Sequence, residues 1–333
     1  MISDVGHPDA GCRPGSVEGM SRWTTTDIPD LTGRTAVVTG ANSGLGFHTS
    51  CGLARHGARV LLACRDAGRG AQALARVRSE APAASVELEA LDLADLASVR
   101  RFATWFGTDQ GLDLLINNAG VMATPHRRTV DGFELQLGTN HLGHFALTGL
   151  LLPRLLSRPG ARVVTVSSCM HRAGHIDFGD LQSERRYLKW SAYGQSKLAN
   201  LLFAFELDRR LKAADADVLS VAAHPGWAAT NLQAAGPRMA GRELEEKASH
   251  LINRVVAQSD AQGALPVLCA AVSPDVVGGD YFGPDGPFEM RGYPHRVGTT
   301  RSARNERKAR RLWALSEEPT GVRFEFPVPA SAE

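Results

Sequence analysis

Seven short apolar runs, separated by longer amphipathic stretches, constrain this chain most. They are Thr35–Thr39, Arg59–Ala63, Val86–Leu91, Leu112–Ile116, Arg162–Val166, Val218–Ala223 and Asp280–Phe282. Several are near-continuous in Val, Leu, Ile and Ala, as in strands covered on both faces. Val86-Glu-Leu88-Glu-Ala90 alternates instead and reads as a less covered strand. Helical stretches lie between them at Leu45–His56, Arg69–Ala81, Leu96–Phe106, Gly132–Leu156, Ser191–Lys212 and Asp260–Val272, with Gly57 and Pro82 at stop positions. Alternating strands and helices imply right-handed crossovers. The fold predicted is α/β: a doubly wound parallel seven-stranded sheet with helices on both faces.

Residues 1–30 sustain no hydrophobic period and read as a flexible extension. Residues 31–318 form the single predicted domain, and 319–333 a C-terminal tail. Arg301–Leu315 offers a basic helix whose Leu312, Trp313 and Leu315 give it one side to dock. The formal net charge of +2 argues against a general nucleic-acid or anionic-membrane binder. Apolar runs such as Ala264–Val272 fall well short of the roughly 18 residues of a membrane span. Five single cysteines, without a Cys-x-x-Cys pair, read as free thiols in a reducing cytoplasm.

Three motifs carry the chemistry. Thr39-Gly40-Ala-Asn-Ser-Gly44-Leu-Gly46 leaves the first strand and opens the first helix. There Gly40 permits a tight turn, Gly44 lets backbone approach a pyrophosphate, and Gly46 lets the helix pack on the sheet. The helix N-terminus supplies N–H groups to the anion. Asn117-Asn118-Ala119-Gly120 follows the fourth strand. Tyr193 and Lys197, four apart in a helical stretch, share one helix face. A cation beside a phenol favours the phenolate, so Lys197 is expected to make Tyr193 more acidic.

These motifs, in this order, resemble the short-chain dehydrogenase/reductase family from about Leu31 to Phe282. Ala63-Cys-Arg-Asp66, Asn140-His-Leu-Gly-His-Phe145 and Arg310-Arg-Leu-Trp313 resemble its retinol-dehydrogenase-like and WW-domain-oxidoreductase-like branch. The resemblance implies a Rossmann-type fold and an NAD(P)-dependent oxidoreductase. Its catalytic residues would be Asn140, Ser168, Tyr193 and Lys197, with Ser167 the competing serine. Asn140 would sit at a helix distortion holding a water that links Lys197 to solvent.

The cofactor would meet Gly40, Asn42, Ser43, Gly44, Leu45 and Gly46 in the loop. Asp92 and Leu93 would contact adenine, and Asn117, Ala119 and Gly120 would wall the adenosine ribose. Tyr193, Lys197, Pro225, Gly226, Trp227 and Thr230 would lie at the nicotinamide end. The selecting acid of NAD enzymes would fall at Cys64, and Arg65 follows it, able to fork onto a 2′-phosphate. NADP(H) is therefore expected in preference to NAD(H), although Asp66 is adjacent.

Met170, His171, Trp190, Trp227 and Leu232 are the candidate substrate contacts, beneath a lid near 231–259. The expected substrate is a bulky hydrophobic carbonyl or alcohol: a ketone, an aldehyde, a steroid-like or an isoprenoid compound. The pairs His141/His144 and His171/His175 lack a third ligand, and no metal is expected. The two long helices would build a homodimer or homotetramer interface. A non-catalytic dinucleotide-binding sensor on the same fold is the alternative.

Overall fold

A computed structural model describes residues 22–227 and 258–328. Thr230, Leu232 and nearly all of the expected lid lie outside the described residues. The strands are β1 (Thr35–Thr39), β2 (Arg59–Cys64), β3 (Val86–Ala90), β4 (Leu114–Asn117), β5 (Ala161–Val166), β6 (Val218–Ala223), β7 (Tyr281–Pro284) and β8 (Pro294–Arg296). They form one sheet in the order β3-β2-β1-β4-β5-β6-β7-β8. All pair in parallel except β7 with β8.

The sheet therefore has eight strands, one more than expected. β8 is three residues beginning with a proline, and no apolar run announces it. β1 and β4 are buried throughout, while β3, at the sheet edge, is mostly half-exposed as its alternation implied. The chain reverses direction across the sheet between β1 and β4. Such a switch point opens the crevice at the strand carboxyl ends where open α/β sheets bind ligands.

The helices are α1 (Gly44–Arg55), α2 (Ala67–Glu80), α3 (Leu96–Phe106), α4, α5 (Lys189–Ala213), α6 (Asp260–Val272) and α7 (Glu306–Thr320). α4 is expected from Gly132 but begins at Leu135. Its turns Leu135–Leu137 and Gly143–Leu156 are joined by a π-helical turn, Gly138–Leu142. Two apolar clusters, one on each face of the sheet, form the bulk of the core.

Three expectations at the edges of the domain need correction. Trp23 and Ile28 are buried in the core, so the ordered domain reaches back into the segment read as an extension. Two apolar side chains in a polar run leave no periodicity to detect. At the other end, Val322 and Phe324 are buried, with Phe324 against Phe145, Phe203 and Trp313. The segment after 319 is thus packed at least to Phe324.

The outer faces of α4 and α5 are the third case. α7 lies on α5, with Trp313 stacked on Phe203, and Arg304, just before α7, sits over Phe205. A Cβ at Gly149 of α4 would meet Val322 and Phe324. The chain's own C-terminal segment therefore covers surfaces that the resemblance assigned to a second copy.

Candidate active site

β1 delivers the chain to the crevice at Thr39. Gly40 (φ +65°) and Gly44 (φ +57°) adopt the left-handed conformation that residues with a Cβ resist. A Cβ at Gly46 would lie 2.5 Å from Gly40 O and 2.6 Å from Asn118 Nδ2. Only glycine permits this approach of α1 to the loop. Thr39 Oγ1 accepts the N–H groups of Asn118 and Ala119, both at 2.9 Å, and Asn118 Nδ2 donates to Thr39 O at 2.7 Å. Asn118, inside the Asn117–Gly120 motif, locks the loop to the end of β4.

Asp66 and Asp95 cap α2 and α3 with their carboxylates, but Ser43 makes no such bond to α1. The first N–H groups of α1 are left to a ligand or solvent. Asn42, Ser43 and Leu45 are half-buried around that end. Asn117 Nδ2 donates to Thr148 at 2.9 Å, and its buried Oδ1 has no partner among the described residues. A glycine cradle, an uncapped helix start and an orphaned buried acceptor fit a dinucleotide.

At the end of β2 Cys64 is buried and Arg65 exposed. Asp66 accepts from Arg69 N and Arg69 Nε, each at 2.9 Å. The neighbouring acid is thus committed to capping α2. Asp92 Oδ1 accepts from Ala94 N at 2.9 Å and Leu93 is buried.

The four candidate catalytic residues converge beyond β4 and β5. Tyr193 and Lys197 are buried in α5, with Lys197 Nζ 5.8 Å from the phenol centroid. The Ser168 hydroxyl lies near enough to the Tyr193 phenol to favour its ionised form, and accepts from Met170 N at 3.2 Å. Ser167 instead donates to Lys197 O at 2.8 Å, a structural use that separates the two serines. Gly120 lies between Asn140 and Lys197: a Cβ there would be 3.1 Å from Asn140 Oδ1 and 3.7 Å from Lys197 Nζ.

Asn140 sits in the π turn of α4, where a distortion was expected. Its Oδ1 accepts from Val121 N at 2.7 Å, and its Nδ2 donates to Val121 O and Ser196 Oγ, both at 2.9 Å. Ser196 in turn donates to Tyr193 O at 2.8 Å. His144, one turn on, faces Asn140 O through Nδ1 at 3.0 Å and Thr39 through Nε2 at 2.9 Å. Since a carbonyl only accepts, Nδ1 carries the proton. Burial pushes His144 down to about 4, so the ring is neutral.

The electrostatics correct one expectation. Burial raises the Tyr193 phenol above its ordinary value, against a smaller opposing influence of the Ser168 side chain. Lys197, also desolvated, is pushed down to about 8. Its ammonium donates to Val166 O at 3.1 Å. In these surroundings Tyr193 is a protonated acid at neutral pH, and the phenol is not itself made acidic. Desolvation is the largest cause for both groups.

His171 also differs from expectation. It is fully buried against Tyr281, and its Nδ1 lies 2.7 Å from Ser168 O. It backs the serine and does not line a mouth. Met170 is half-buried, whereas Trp190 is 48% exposed with its ring edge-on to Tyr193 at 6.5 Å. Leu188 and Trp227 are exposed as well. Gly226 (φ +66°) turns the Pro225-Gly226-Trp227 bend, and Trp227 N donates to Met290 O at 2.7 Å. Three of the paired histidines are engaged elsewhere, His141 Nε2 with Ser316 Oγ at 2.9 Å, His144 with Asn140 O and Thr39, and His171 with Ser168 O, while His175 is exposed.

Known proteins carry the same framework. The short chain dehydrogenase family matches residues 34–240. Human retinol dehydrogenase 12 is 42% identical over 297 residues, covering 89% of each chain. Human retinol dehydrogenase 13 is 41% identical over 296 residues, 88% of this chain and 86% of that one. A solved structure of an uncharacterized protein from Mycobacterium paratuberculosis is 46% identical, with a TM-score of 0.76 over 92% of this chain and all of its own. Pseudomonas aeruginosa RhlG, solved with NADP, shares the fold at 24% identity and a TM-score of 0.60, covering 79% of this chain and 99% of that one. The chain belongs to the short-chain dehydrogenase/reductase family, in its retinol-dehydrogenase-like branch, and is an NAD(P)-dependent oxidoreductase acting on alcohol or carbonyl groups.

Proposed function

We propose that the protein transfers hydride between NADP(H) and the carbonyl or alcohol group of a bulky hydrophobic substrate, an isoprenoid-like aldehyde or ketone foremost. The observation that carries this reading is the buried Tyr193 phenol with the Lys197 ammonium 5.8 Å from its ring centroid and Ser168 close by, on the edge where the glycine loop opens. The nicotinamide supplies or accepts the hydride when bound. Tyr193, kept protonated by burial, gives its proton to the carbonyl oxygen. Ser168 hydrogen-bonds the same oxygen as charge develops on it. The Lys197 ammonium stabilises the phenolate left behind. Asn140 holds the Val121 backbone against the π turn and, through Ser196, steadies the carbonyl of Tyr193. In oxidation the same groups act in reverse.

Two features favour NADP(H). Arg65 is exposed at the end of β2 and makes no ion pair among the described residues. The adjacent acid, Asp66, is occupied by α2 and Arg69. The apolar substrate class draws on the exposed rim of Leu188, Trp190 and Trp227, and on relatives named for retinol. Spectrophotometric turnover of retinal, other isoprenoid aldehydes and steroid ketones, with sugars and hydroxy acids as controls, tests the reading. Turnover of the apolar compounds with kcat/KM at least about tenfold higher for NADPH than NADH is expected from the loss of a charge-assisted fork onto the 2′-phosphate. Equal cofactor use, or turnover of the polar compounds alone, would contradict it.

A further inference from the structure

The turn joining β7 to β8 holds Phe288 (φ +56°) and Glu289 (φ +56°), consecutive left-handed residues that both carry a Cβ. That conformation is costly for such residues. Phe288 is 90% exposed, so packing of its side chain does not offset the cost. Polar contacts on Glu289 do. Its Oε1 accepts from Arg172 at 2.6 Å and its Oε2 meets His224 Nε2 at 3.0 Å. His224 is fully buried, and its Nδ1 accepts from Gly226 N at 3.2 Å. An amide N–H only donates, so the ring proton is on Nε2 and points at Glu289.

The fold makes room for this imidazole. A Cβ at Gly283 of β7 would fall 2.1 Å from His224 Nε2. Arg172 belongs to the short 3₁₀ turn Cys169–Ala173 that begins directly after Ser168. One carboxylate therefore joins the segment behind the candidate catalytic serine to the Pro225-Gly226-Trp227 bend. Met290 O, next in the turn, takes Trp227 N–H as a second tie.

We propose that Glu289 is a positioning residue: anchored by Arg172, it orients His224, which fixes the Gly226 bend relative to Ser168 for the nicotinamide end of the cofactor. The proposal rests on the reading that the chain binds NADP(H) across this edge. No sequence motif links residues so far apart, and none of the three was a candidate site residue.

The test compares NADPH with 2′,5′-ADP, which lacks the nicotinamide half, by titration calorimetry on the full chain. Glu289→Ala is expected to raise the NADPH Kd about tenfold, short of the about hundredfold that an ångström of misplacement can cost. Binding of 2′,5′-ADP should stay unchanged. Glu289→Gln should recover most of the loss, because its amide oxygen still accepts from His224. Arg172→Ala should fall between, and carries the same comparison should Glu289→Ala not fold. Unchanged NADPH binding in these variants, or equal weakening of both ligands, would overturn the proposal. Failure of the unaltered protein to bind either ligand would instead remove the dinucleotide reading, and the proposal with it.

Discussion

The two sides of the β1–β4 crevice are built by different means. On the β1 side, backbone conformation does most of the work: Gly40 and Gly44 turn and Gly46 admits α1, with the Thr39 and Asn118 side chains tying the loop to β4. On the β5–β8 side, side chains drawn from distant parts of the chain meet, as Ser168 does with Tyr193 and Glu289 with His224. A backbone site fails when a Cβ intrudes on it. A side-chain site fails when one functional group is lost. The first kind depends on glycine spacing within eight residues; the second depends on the tertiary fold.

Gly46→Val should expose that difference most strongly. Its Cβ would enter the space of Gly40 O and Asn118 Nδ2, displacing the loop. NADPH affinity, followed by fluorescence titration, is expected to fall about a hundredfold, with about 1–3 kcal/mol of stability lost to overpacking. Binding within a few-fold of the unaltered protein would mean that the loop does not hold the cofactor as described.

A smaller effect should mark the side-chain half. Lys197 titrates at about 8 because burial disfavours its charge. Above that pH the ammonium becomes neutral and no longer stabilises a phenolate. kcat/KM, which reports groups of the free enzyme, should fall by about tenfold per pH unit above this point. Lys197→Arg, whose guanidinium stays charged, should lose that limb whatever its overall rate. A limb that persists in the Arg variant would assign it to another group.

Legibility in the sequence follows the same divide. The seven longer strands, the glycine loop and the Tyr193/Lys197 pair are local patterns; each strand lies within two residues of its expected bounds, and the pair falls in one helix. The π turn was signalled only by Asn140, a poor helix former in mid-helix. β8 was too short and too polar to register, and Trp23, Ile28 and Phe324 were single apolar residues outside any period. His171 looked like a mouth residue because its position near Ser168 was visible while its direction was not. The covering of α4 and α5 by α7 was half legible: an apolar side at Leu312 and Trp313 implied docking, without revealing its target. Burial is a property of the assembled fold, so the raised Tyr193 and lowered Lys197 could not be read from spacing four along a helix.

Tyr193→Phe tests the proton-donor role of the phenol most directly. The substitution removes one oxygen and leaves the ring against Trp190 and above Lys197. Measured together, carbonyl reduction should fall by about two to four orders of magnitude, the range for a lost general acid, while the NADPH Kd stays within about threefold of the unaltered protein. A variant that binds NADPH normally and still turns over at the original rate would show that the proton comes from elsewhere.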